Sequence, residues 1–199
     1  MQKNTQKGFT LIELLLVLAI IAAIGVAAFI IYPRVQAGNA ATNNASAMNA
    51  AAAQIQALFP SARYGNLNQN VACKGDVFPD NFKSDPTCVI PALKNEWDGD
   101  IIVGGANAAG ASATGTIARY YRIRYENVPE KVCAKLAPAL ASNFGIVAIN
   151  APPGAAPTGN QIVVNTFDND PNNDVPNEAN IANGCNNGTK YATITVTGR

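Results

Sequence analysis

The sequence predicts an α+β protein with a long N-terminal helix and an antiparallel β-sheet head. Three observations carry this. Leu14 to Tyr32 is 19 apolar or small residues without one charged side chain. Beyond it Ala41, Ala45, Met48, Ala52, Ile55 and Phe59 recur at spacings of three and four, one face of an amphipathic helix. Past residue 100, segments rich in β-branched residues alternate with turn-rich connectors, and period-two alternation is clearest between Ile117 and Tyr125.

The apolar run comes first. At about 1.5 Å per residue it spans roughly 29 Å as a helix, close to the thickness of a bilayer's hydrocarbon core. Lys3 and Lys7 precede it and Arg34 is the next charge beyond it, a distribution that places the N-terminus in the cytoplasm. No small-residue signal-peptidase site follows the run, so the segment is expected to be retained. One carboxylate, Glu13, stands at its start, where a charge that meets lipid needs a partner.

Lys7-Gly8-Phe9-Thr10-Leu11-Ile12-Glu13 followed by the apolar run resembles the prepilin signal of type IV pilins. The resemblance implies that a membrane prepilin peptidase removes residues 1–8 as a leader, cutting after Gly8, and methylates the new amine on Phe9. It implies that Glu13 meets the N-terminal amine of a neighbouring subunit and sets the axial register, two charges that neutralise each other where either alone is strongly penalised. It also implies the type IV pilin fold, a long N-terminal α-helical stem packed on an antiparallel β-sheet head. The expected organisation is a leader at 1–8, a stem helix at 9–59 with its membrane segment at about 14–32, and a globular head at 60–199.

Within the stem, Gly25, Pro33 and Gly38 predict a bend or local loosening. Alanines favour the helix after Ala41 and permit close backbone approach, and Pro60 with Ser61 ends it. Residues 60–98 carry six Pro or Gly among polar residues and read as a loop with short helical turns. So long a loop needs a staple. Four cysteines in an exported chain suit a disulfide-permissive compartment and allow three connectivities. The favoured one joins Cys73 to Cys88 across the loop and Cys133 to Cys185, which ties the C-terminal region to a helix.

In the head, Trp97 to Val103 reads as a turn feeding a strand. Ile117, Tyr121, Ile123 and Tyr125 are the expected buried face of the next strand, and Ala118, Tyr120, Arg122 and Arg124 its outer face. The Arg and Tyr cluster reads as a solvated strand face, with a nucleic-acid or sugar-binding patch as the other reading. Val128-Pro129-Glu130-Lys131 opens a short helix with Val132, Leu136 and Leu140 inward, which Pro138 is expected to end or kink. Strands are expected at 145–150, 161–167 and 190–196, the last pairing within the sheet. This head is similar to the larger type IVb pilins, including those of bundle-forming, toxin-coregulated and thin conjugative pili. By that resemblance, Cys133–Cys185 bounds a C-terminal region that faces outward. The eight-residue leader and Phe9 look instead like type IVa, so the subclass stays open.

Charge and inventory exclude several functions. The formal charge is +1, and about −1 once Lys3 and Lys7 leave with the leader, so nothing recruits nucleic acid and no specific site for it is evident. With no histidine there is no Ser-His-Asp or Cys-His arrangement, and no Gly-rich phosphate loop follows a strand, so neither an enzyme nor a cofactor is expected. Asp168, Asp170 and Asp174 alternate like calcium ligands, but the loop lacks the central glycine and the glutamate at the twelfth position, which leaves them a weak metal candidate. The expected function is a structural subunit that polymerises into a type IV pilus serving adhesion, aggregation, motility or DNA transfer. Its expected partners are copies of itself, the prepilin peptidase, the assembly platform and the outer-membrane secretin. It is expected in the inner membrane first and then outside the cell. A minor pilin, a type II secretion pseudopilin and an anchored binding module are the alternatives.

Overall fold

The computed structural model describes residues 10–168 and 170–199. Among these described residues, four α-helices and five strands follow in the order α1 (Leu11–Leu58), α2 (Gln69–Lys74), β1 (Ile101–Ala106), β2 (Tyr120–Pro129), α3 (Glu130–Ala141), β3 (Ile146–Ile149), β4 (Ile162–Asn165), α4 (Glu178–Cys185) and β5 (Tyr191–Gly198). The chain divides into two compact units, the first ending at Ala37 and the second running Gly38–Arg199.

Helix α1 runs through both Pro33 and Gly38 without interruption. The sequence predicted loosening there. A proline removes one rung of the ladder and crowds the carbonyl four residues back, but the rungs on either side persist. The Gln36 amide also donates to the Tyr32 hydroxyl at 2.6 Å, closing the turn that contains Pro33.

In the second unit the buried stripe of α1 is Ala41, Asn44, Ala45, Met48, Ala51 and Ile55, with Met48, Ala51 and Ile55 wholly inaccessible. Ala52 and Phe59, expected inside, are only half-buried. The stripe drifts because 3.6 residues per turn carries it from position 52 to 51, and it admits a polar member that apolar periodicity does not count. Asn44 is that member, donating to the Ala40 carbonyl at 2.9 Å and to Glu96 Oε1 at 3.0 Å. Beyond α1 an aromatic chain leads to the sheet: Phe59 lies 5.7 Å from Tyr64, which meets Tyr121 edge-on at 5.4 Å.

The five strands form one antiparallel sheet in the order β1-β2-β5-β3-β4, so the last strand in sequence is the central one. Residues paired across an antiparallel ladder share a face. The register thus gathers Ile101, Val103, Tyr121, Ile123, Tyr125, Ile194, Val196, Val147 and Ile149 on one apolar face. All of them are buried. The end of α1, α3 and α4 cover this face. Gln56 of α1 donates to the Arg199 carbonyl at 2.8 Å, and Gly184 of α4 backs directly onto Ile149. A bulge between Tyr125 and Val128 lets β2 turn into α3, with Asn127 taking a positive φ of 55° that asparagine tolerates.

Several expectations are corrected. Ile117 lies outside the strand in a short 3-10 turn and is 69% exposed, since β2 begins only at Tyr120. Pro138 does not end α3, which continues to Ala141 because Ala137 and Leu140 beside it are fully buried and hold the last turn in place. The segment before Cys185 is helix α4, not loop. Asn177 caps it by accepting from the Asn180 backbone at 3.0 Å, and Ile181 and Cys185, four apart, face inward.

Both disulfides are formed, Cys73–Cys88 and Cys133–Cys185. The first staples the segment between α1 and β1; the second links α3 to α4. In the chain-entropy model, loops of 15 and 52 residues correspond to about 3 and about 4 kcal/mol. Replacing Cys133 and Cys185 together by serine is expected to lower the melting temperature of the head under oxidising conditions, read by calorimetry. An unchanged transition would show that the bridge contributes no stability.

Burial, with Tyr64 beside it, pushes the Tyr121 phenol up to about 12. Its unfolded value is about 10, so the folded state favours the protonated phenol. The stability this represents is fully present below pH about 10 and is lost as pH rises through about 12. Tyr121→Phe is expected to flatten the alkaline fall in stability over that window, measured by denaturant titration at stepped pH. An identical pH profile in the variant would refute it.

Candidate assembly stem and head cavity

The first candidate site is the apolar part of α1. Every large apolar side chain from Leu11 to Val35 is exposed, from 44% at Val17 to 84% at Phe29. The apolar residues surround the helix rather than forming a stripe, the pattern of a helix enclosed by lipid or by other helices. The segment is long and apolar enough to cross a membrane. A surface of this size far exceeds the few hundred Å² that water-soluble monomers expose as one patch.

Glu13 lies in the first turn of α1, where the helix dipole favours a carboxylate. Its backbone N–H donates to the Thr10 carbonyl at 3.1 Å and to Thr10 Oγ1 at 3.4 Å. Among the described residues no basic side chain forms an ion pair with it. Gly8 and Phe9, the expected cleavage and methylation positions, lie outside the described residues.

The second candidate lies on the other face of the sheet. Arg122 and Arg124, two apart on β2, share this face with Thr195 and Thr197 of β5. The sequence predicted a solvated strand face. Instead Arg122 is 5% and Arg124 8% exposed, because the β1–β2 and β3–β4 connections fold over them. The two connections are tied together by Ser112 N–H donating to the Gly154 carbonyl at 2.9 Å. Arg122 Nη1 donates to the carbonyls of Gly110 at 3.4 Å and Ala155 at 3.3 Å, and its Nη2 to that of Pro152 at 3.3 Å. Gly110 adopts φ +79°, a conformation that glycine takes at no steric cost. Arg124 Nη1 donates to the Ala151 carbonyl at 2.7 Å, and its Nε pairs with Glu126 at 3.0 Å. Burial, and then the like charge of Arg124, hold the Arg122 guanidinium below its ordinary value, although arginine remains protonated. A cavity of about 200 Å³ is lined in part by both arginines. Nothing in the linear pattern marked this arrangement, because the covering loops are Gly, Ala and Pro segments with no periodicity.

The acidic loop is tied by hydrogen bonds of its own. Asp168 Oδ2 accepts from the side-chain amides of Asn165 at 2.9 Å and Asn173 at 2.8 Å, and Asp170 Oδ1 accepts from the Asn172 backbone at 3.0 Å. These carboxylates are occupied in shaping their own turn. Among the described residues, Asp174 included, no three His, Cys, Asp or Glu side chains converge on one point.

Comparison with known proteins bears on both units. Residues 3–29 match the family model described as prokaryotic N-terminal methylation motif, and residues 36–198 match the one described as PilS N terminal. The crystal structure of TcpA, a type IV pilin from Vibrio cholerae El Tor biotype, is similar to this chain with a TM-score of 0.53. At 13% sequence identity, the similarity covers 81% of this chain and 99% of that one. No curated protein matches the chain by sequence.

Leu18→Arg puts a permanent charge inside the apolar segment, at a cost of about 2.5–3.5 kcal/mol near the bilayer centre. The share of full-length chain resisting carbonate extraction from membranes is expected to fall. Unchanged extraction would mean that this segment does not cross the bilayer.

Proposed function

We propose, from the premise that this chain belongs to the PilS N terminal family and is a type IV pilin, that it polymerises into a helical filament through the apolar part of α1. As a pilin it is a structural pilus subunit, made as an inner-membrane precursor and carried to the cell surface. The observation that carries the polymerisation reading is the fully exposed apolar surface from Leu11 to Val35. No part of the described chain covers it, so lipid must do so before assembly and the stems of neighbouring copies afterwards. Burying one such side chain is worth about 1.5–3 kcal/mol relative to water, but transfer from lipid to a helix bundle gains far less. Specific polar pairing must therefore choose the register.

Glu13 is the group suited to that role. The prepilin peptidase would cut after Gly8 and methylate Phe9, leaving a cationic amine four residues before Glu13. A Glu13 carboxylate of one copy that meets this amine on the next is neutralised inside the filament. Either charge left alone there would be strongly unfavourable. Cys73–Cys88 and Cys133–Cys185 would keep the head intact as the outer wall. An assembly platform and an outer-membrane secretin would extrude the fibre, whose work would be adhesion, aggregation, motility or DNA transfer.

Glu13→Ala and Glu13→Leu separate processing from assembly. Both are expected to yield a chain starting at methylated Phe9 by mass spectrometry of the membrane fraction, with fibres in the sheared surface fraction reduced at least roughly tenfold, in line with an unpaired buried charge. Wild-type fibre yield from either variant would sink the register role. A chain still starting at Met1 in the wild type would sink the processing step.

A further inference from the structure

The arginine face of the sheet carries a charge that the fold does not balance. Arg124 is neutralised by Glu126 at 3.0 Å and anchored to the Ala151 carbonyl at 2.7 Å. Arg122, only 5% exposed, has no carboxylate partner among the described residues. Its three acceptors are neutral carbonyls at 3.3 to 3.4 Å, beyond the 2.7–3.2 Å of ordinary N–H···O bonds. A buried cation held this loosely is costly unless an anion meets it.

The cavity beside it has the lining of a binding site. Its volume of about 200 Å³ equals about seven waters at roughly 30 Å³ each, the scale of one monosaccharide. Leu67, Ile102 and Pro153 provide apolar wall, Ser112 and Thr114 carry hydroxyls, and Gly104 leaves the strand backbone open. Small-molecule sites are built in this way, mostly apolar with a few convergent polar groups. The planar guanidinium fork fits a carboxylate in bidentate fashion. Glu126 leaves the pair of arginines with one net positive charge, which suits a monoanion and disfavours a phosphate dianion.

We propose that this cavity binds a sugar acid, its carboxylate on the Arg122 guanidinium and its hydroxyls toward Ser112 and Thr114. The site belongs to the head and does not depend on fibre assembly.

Glucuronate, its neutral counterpart glucuronamide, and glucose are the probes, titrated by calorimetry into the full chain in detergent micelles. Saturable binding of glucuronate is expected, weaker by about tenfold or more for both neutral sugars, the scale of one charge-assisted hydrogen-bond pair. Arg122→Lys is expected to lose most of that preference, but it also disturbs the loops. Gly104→Val avoids this. Gly104 pairs with Arg122 in the ladder, and an added Cβ meets only the Leu67 carbonyl, at 3.9 Å. The branch point of a valine therefore has room in the strand, and its methyl groups are expected to occupy cavity space and abolish binding with an unchanged melting temperature. Absence of glucuronate binding, equal binding of glucuronamide, or binding retained in Gly104→Val would each overturn the proposal. A tetrasaccharide ending in glucuronate distinguishes the source: binding as tight as the monosaccharide makes the end of a glycan chain the ligand, and failure beside a binding monosaccharide makes it the free acid.

Discussion

An apolar helical surface that none of the described residues covers is the constraint on which this molecule depends. From Leu11 to Val35 the side chains of α1 are suited to hydrocarbon on every side, and each large one is exposed. The same helix then changes character. From Ala41 to Ile55 only one stripe is buried, and Met48, Ala51 and Ile55 on it are wholly inaccessible. One continuous element thus serves two environments. Its first part needs an external partner, lipid or another helix, while its second part is satisfied inside the head.

The head resolves a corresponding asymmetry in the sheet. One face is aromatic and β-branched and is closed by helices, as is usual for a half-buried antiparallel sheet. The other bears Arg122, Arg124, Thr195 and Thr197, and is closed by irregular loops whose carbonyls point at the guanidinium groups. Loops suit this role because their backbone acceptors are not committed to a ladder, so each can turn toward a donor. The arginines therefore act as rivets between the sheet and two connections that have no secondary structure to hold them. The disulfides do the equivalent work elsewhere, across the segment before β1 and between two helices on the apolar face.

Much of this was legible in the chain. Hydrophobic length alone marked the span, because a run of apolar residues needs no context to be apolar. Period-two alternation located β2, and β-branched runs located β3, β4 and β5 to within a few residues. The motif around Gly8 and Glu13 indicated the family, to which the chain belongs over residues 36–198. Local signals failed where long-range burial outweighs them. Pro33 and Pro138 are helix breakers by propensity, yet α1 and α3 run past both, and α3 does so because its last turn is buried. Helix α4 was missed because its eight residues hold only two apolar inward positions, too few for a periodic signal.

The sequence by itself determined the two-part plan: an apolar stem, an antiparallel head, four cysteines and no histidine, all properties of residue type and spacing along the chain. Only the tertiary structure decided which cysteines meet, that the last strand becomes the centre of the sheet, and that Arg122 and Arg124 are buried. Charge predicts exposure as long as nothing else is known, since desolvating a guanidinium is costly. Whether covering loops bring carbonyls to a buried guanidinium depends on residues about 30 positions away along the chain, Pro152 and Ala155 for Arg122 and Ala151 for Arg124. Spacing along the strand holds no trace of them.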